Sequence, residues 1–129
     1  VDEAELNGLS KRVLDAAFAV HTALGPGLLE GTYCACLVHE LTSRGMRVQT
    51  EVPCPVVYKG VKLIDIGYRM DLLVEGELVI EVKSVDMIIP VHRAQLLTYL
   101  KFSDRRLGLL VNFNVISLKD GIVRMVNRL

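Results

Sequence analysis

The chain has 129 residues, the size of one domain, and with 51% hydrophobic and 23% charged residues it can bury a core, which excludes a disordered tail. Fifteen Lys and Arg balance fifteen Asp and Glu, and this zero net charge excludes a uniform cationic coat that grips polyanions by charge alone. No apolar run approaches the ~20 residues that cross a bilayer, and acidic Asp2, Glu3 and Glu5 stand where a secretory leader is basic, so the expected location is the cytoplasm, with no membrane partner.

Leu6, Leu9, Val13, Leu14, Ala17, Val20 and Leu24 recur at helical spacing and predict an amphipathic helix over residues 3–24, ended by Gly25-Pro26-Gly27. A second helix is expected from about residues 28–30, through Tyr33, Leu37 and Leu41, to Gly45 as its C′ glycine. Residues 47–58 suit an edge strand interrupted by Pro53 and Pro55; Lys59-Gly60 marks a turn, and residues 61–66 continue as strand. Residues 68–74 and 78–83 predict an antiparallel hairpin around Glu75-Gly76-Glu77. Pro90 suits the first position of a helix running to about residue 102. Strands follow at 107–112, 115–118 and 122–126, the last two joined at Asp120-Gly121. The order α-α-β-β-β-β-α-β-β-β predicts one α+β or mixed α/β domain, residues 1–129, around a single sheet.

The strand at 78–83 holds the chain's most informative chemistry. Its apolar density predicts burial on both faces, yet Glu81 and Lys83 stand two apart and share a face, a costly placement unless they are paired or bound. A three-residue loop would set Asp71 directly opposite Glu81, with Cβ atoms about 4.5–5.5 Å apart. A two-residue turn would send the carboxylates to opposite faces, so the inference depends on loop parity. Opposed carboxylates repel unless a proton or a cation separates them, and this pair would suit Mg²⁺ or Mn²⁺ completed by water and phosphate. Lys83 could then polarise an attacking water or balance charge at phosphate. The competing reading is that Glu81 and Lys83 form structural ion pairs.

Asp71 followed, after nine intervening residues, by Glu81-Val82-Lys83 resembles the signature of the PD-(D/E)xK nuclease superfamily. Gly27-Leu28-Leu29-Glu30-Gly31-Thr32-Tyr33 resembles the motif of its GxxExxY branch, and the resemblance extends from His21 through Leu100. It implies a restriction-endonuclease-like core, a central mixed sheet flanked by helices, and a nuclease acting on nucleic acid, most readily DNA. It also implies a metal held by Asp71, Glu81, the Val82 carbonyl and Glu30, with Lys83 catalytic and Gln95 the polar residue of the following helix. Met70 departs from the pattern, standing where the superfamily name has Pro.

Residues 1–82 carry a charge of −5 and residues 83–129 carry +5. His92, Gln95 and Tyr99 fall along one helical face, and nearby Arg93, Lys101, Arg105 and Arg106 supply basic charge; Arg93, Lys101 and Tyr99 are candidate nucleic-acid contacts. At 5% aromatic residues and no Trp, composition does not indicate a stacking platform. Without its family context, Glu30 reads as an acid favouring a helix dipole, Tyr33 as packing and His21 as a satisfied core histidine. Cys34, Cys36 and Cys54 form no CxxC pair and read as reduced, half-buried thiols. The alternatives to a nuclease are a non-catalytic nucleic-acid-binding or assembly module of the same fold, and a homodimer joined through the charged strand.

Overall fold

A computed structural model of the chain describes residues 1–63 and 67–129. The apolar spacing of the N-terminal segment becomes α1, Glu3–Leu24, capped where the Asp2 carboxylate accepts the Glu5 N–H at 2.8 Å. Its buried stripe is Leu6, Leu9, Val13, Ala16, Ala17 and Val20. The second helix, α2, spans Glu30–Ser43, and Gly45 follows at φ 87°, the left-handed conformation suited to a C′ glycine.

Among the described residues seven strands follow in two sheets. The expected edge strand divides at Cys54-Pro55 into β1, Val48–Pro53, and β2, Val56–Tyr58. Proline cannot donate to a ladder, and beyond it the chain pairs instead with β3, Val61–Leu63. Lys59 at φ 50° and Gly60 at φ 78° make the tight turn between β2 and β3. The remainder of the expected 61–66 strand lies outside the described residues. The hairpin strands are β4, Arg69–Val74, and β5, Leu78–Lys83, and α3, Pro90–Ser103, carries the chain from β5 to β6, Leu107–Asn112. With β7, Ile122–Val126, the main sheet reads β1-β4-β5-β6-β7; β5 and β6 are parallel and the other neighbours antiparallel.

Alternation divides the core between the two faces of this mixed sheet. Leu72, Val74, Leu78, Ile80 and Val82 pack with α1 and α2, while Leu73 and Val79 pack with Leu96, Tyr99 and Leu100 of α3. The result is the predicted α+β architecture, a mixed sheet flanked by helices and consistent with a restriction-endonuclease-like core.

Residues 115–118 are not the expected strand. They form bends leading into a 3₁₀ turn at Leu118–Gly121, which contains the expected Asp120-Gly121 hairpin signal, and β7 pairs directly with β6. The physical reason is competition for partners: β7 occupies the free edge of β6, and the Val115 carbonyl accepts the His21 imidazole at 2.7 Å. Val115 and Leu118 still reach the first core, so their apolar character is satisfied without a ladder.

Candidate active site

The site begins with the length of one loop. Val74 pairs with Leu78, Leu73 with Val79 and Leu72 with Ile80 across the three-residue Glu75–Glu77 connection, and the next opposed positions are Asp71 and Glu81. At that point side chains replace the ladder. The Asp71 N–H donates to Glu81 Oε2 at 2.9 Å, and the Val82 N–H donates to Asp71 Oδ2 at 2.9 Å. Each carboxylate is thus fixed by the backbone of the opposite strand. Because a strand residue's N–H and C=O point the same way, the Val82 carbonyl also faces the Asp71 side.

A third carboxylate aligns with this pair. Thr50 pairs with Leu72 and Val52 with Met70, which leaves Glu51 opposite Asp71 on β1. Glu51 has φ 50°, an uncommon conformation for a non-glycine residue inside a strand. Glu51, Asp71 and Glu81 therefore occupy matching register positions on three neighbouring strands. Sequence reasoning missed Glu51; its isolated acidic side chain between Thr50 and Val52 carries no local signal, and only the β1–β4 register sets it beside Asp71.

Burial dominates the electrostatics. Glu81 is 5% exposed, and its pKa is pushed up to about 8, first by desolvation and then by the Asp71 charge, against the Asp71 N–H and Lys83. The Asp71 pKa is also raised, first by burial and further by Glu30 and Glu51, while the Val82 N–H and Lys83 oppose the rise. Cys34, one helical turn beyond Glu30, has its thiol pushed up to about 11 by burial, then by Asp71, Glu51, Glu30 and Glu81. Its response places it in the same acidic field. Among the described residues neither Glu81 nor Lys83 enters an ion pair; the pairs found are Lys11–Asp15, Arg44–Glu40, Arg47–Glu75 and Arg128–Asp104.

A polar network fastens the approach to Glu30. The Tyr33 hydroxyl accepts the Leu28 N–H at 3.1 Å and donates to the Gly25 carbonyl, while its ring stacks on Phe113 with centroids 4.7 Å apart. Gly27, at φ 97°, donates its N–H to Asn114 Oδ1 at 3.1 Å, and Ser84 Oγ donates to the Leu28 carbonyl at 2.6 Å. Asn112 joins both ends of the β5 exit: its Oδ1 accepts the Val85 and Asn114 N–H groups, and its amide donates to the Val85 carbonyl. Residues 25–29 are thereby tied to the segments following Lys83 and Asn112. Gly27, Glu30 and Tyr33 belong to one construction, in which the glycine turns the chain, the tyrosine holds it and the acid opens α2.

The α3 face contributes Gln95, whose Nε2 donates to the Tyr99 hydroxyl at 3.1 Å. Tyr99 is buried at 5% exposure, and its pKa is pushed up to about 12 by burial and then by Glu81. Arg93 and Lys101 lie exposed on the same helix. His92 has a local role, since its Nδ1 accepts the Ile89 N–H at 3.2 Å at the start of α3. His21 is a satisfied core histidine bonded to Val115, and all three cysteines are free thiols.

The description of the PD-(D/E)XK nuclease superfamily matches residues 7–125, nearly the whole chain. The chain belongs to this superfamily. Comparisons with curated proteins and with solved structures each gave no match. Members of the superfamily generally use divalent metal ions, and the oxygen donors here fit a hard cation in charge and type. Among the described residues, no group of three or more His, Cys, Asp or Glu forms a ready cage.

Proposed function

We propose that this nuclease-superfamily chain hydrolyses phosphodiester bonds in nucleic acid with Mg²⁺ or Mn²⁺, and that DNA is its substrate. The observation carrying the proposal is the pair of buried Glu81 and half-buried Asp71, held by reciprocal backbone hydrogen bonds and without a cationic ion-pair partner among the described residues. Such a pair is costly as a structural device and well matched to a cation.

In this reading Asp71, Glu81 and the Val82 carbonyl would hold the ion, and Glu30 would add negative charge from the first turn of α2. A divalent ion bound there would neutralise charge at the scissile phosphate and make its water more acidic. Burial and Asp71 favour the protonated Glu81, which would release that proton to solvent on binding a cation, so that binding would depend on pH. Lys83 orients the attacking water and offsets charge on the phosphate; the water oxygen bonds to phosphorus as the ester P–O bond breaks, the water's proton passing to solvent and the departing oxygen taking one from solvent. Gln95 keeps Tyr99 in place against the carboxylates, and exposed Arg93 and Lys101 engage flanking phosphates. Assignment to the GxxExxY branch belongs to the same proposal and is supported by the joint use of Gly27, Glu30 and Tyr33.

The test is cleavage of linear, nicked, branched and single-stranded DNA, and of RNA, with Mg²⁺, Mn²⁺ or EDTA. Metal-dependent cleavage lost in Glu81→Ala and Lys83→Ala is expected. Activity surviving the double substitution refutes the mechanism, and nucleic-acid binding without cleavage by the wild-type chain favours the non-catalytic module.

A further inference from the structure

On the α3 side of the sheet lies a half-open cavity of about 590 Å³, lined by Val56, Tyr68, Gln95, Thr98, Tyr99 and Phe102 among others. We propose that this cavity is a nucleobase pocket, taking one unpaired base of a strand whose adjoining phosphate lies at Asp71 and Glu81. The inference rests on the phosphodiester reading and narrows its substrate class to single-stranded or locally opened nucleic acid.

The lining has the chemistry of a base site. It is mainly apolar with a few convergent polar groups, and its volume falls in the range of small-molecule pockets. Tyr68 is 48% exposed and meets Tyr99 edge-on, with centroids 6.4 Å apart and an interplanar angle of 63°, which leaves ring surface for stacking. Gln95 gives one N–H to Tyr99, so its carbonyl and second N–H provide the acceptor and donor that a base edge needs. Thr98 adds a hydroxyl.

Position and charge select the occupant. Tyr99 both lines the cavity and packs in one cluster with Met70, next to Asp71 on β4, and Val79, two residues before Glu81 on β5, so the pocket and the carboxylates lie on the same side of the sheet. A nucleotide is the ligand that presents a flat apolar ring and a phosphate to these adjacent surroundings. The helix beneath, α3, contains no Asp or Glu and exposes Arg93 and Lys101, complementary to a polyanionic strand. A duplex keeps its bases stacked and paired, and offers none to the cavity until it opens. Low aromatic content had argued against stacking; the fold overrides composition by bringing two of the four tyrosines to one groove.

The experiment uses the full chain and measures fluorescence anisotropy in Ca²⁺ with a labelled twelve-residue oligothymidylate, an abasic strand of equal length and charge, and the corresponding duplex. Mn²⁺ binding is read separately by electron paramagnetic resonance. Oligothymidylate is expected to bind about tenfold more tightly than the abasic strand, within the range for stacking one base. Tyr68→Ala and the cavity-filling Thr98→Trp should erase that difference, and Tyr68→Phe should retain it. Equal affinity for the base-bearing and abasic strands, or tighter binding of duplex, overturns the pocket. If Mn²⁺ still binds in that case, the phosphodiester reading survives; if the wild type binds neither Mn²⁺ nor any strand, both fall.

Discussion

Replacing Glu81 by Gln tests whether the carboxylate pair is held against its own electrostatic preference. The amide keeps an oxygen to accept the Asp71 N–H while removing the charge that burial and Asp71 disfavour. A carboxyl that titrates near 4.5 in the unfolded chain and at about 8 in the fold binds its proton more tightly when folded. Its contribution is complete below pH 4.5 and lost as pH rises through 8, at most about 5 kcal/mol. Asp71, also raised, adds in the same direction. The assay is urea unfolding followed by circular dichroism at pH 5, 7 and 9 in EDTA. Wild-type stability should fall between pH 5 and 9, and Glu81→Gln should flatten the fall, with its advantage over wild type largest at pH 9. A wild-type profile that stays level, or a Gln variant equally destabilised at both ends, refutes the reasoning.

Three further outcomes follow from the same structure. Saturating Mg²⁺ or Mn²⁺ should raise the thermal midpoint at pH 8, by about 3 kcal/mol of stability at one hundred times Kd, and Asp71→Ala should abolish that response in differential scanning fluorimetry. Tyr33→Phe keeps the stack on Phe113 but removes the links to Gly25 and Leu28; it should cost about 1–3 kcal/mol in urea and speed amide exchange at residues 25–29. Gly121→Ala would drive a Cβ into the Asn112 carbonyl, a backbone obstacle, and should destabilise by at least about 2 kcal/mol, whereas Gly8→Ala, with open space around its Cβ on α1, should be neutral or stabilising by calorimetry.

The sequence disclosed the parts whose geometry is local. Helical spacing located α1, the C′ glycine closed α2, and Pro90 opened α3. The 115–118 segment was not legible because β-branched residues promise a strand without naming its partner, and β7 had taken that partner. Glu51 was invisible for a related reason: its relation to Asp71 spans twenty residues of chain and depends on pairing between β1 and β4. Tyr68 and Tyr99 likewise converge only through packing of α3 against the sheet.

By itself, the sequence determined that Glu81 and Lys83 would share a face, because side chains alternate along a strand, while the face of Asp71 hung on a loop parity that the Val74–Leu78 register decided. It also determined that the balance of charge admits no cationic coat. Only the tertiary structure decided that Glu81 is buried and Asp71 half-buried, that each is bonded to the other's strand, and that Asp71 lies in the field of Glu30 and Glu51. Alternation is a property of neighbouring residues. Desolvation and mutual repulsion depend on everything the fold brings within reach, and those forces turn two acidic residues into a candidate site.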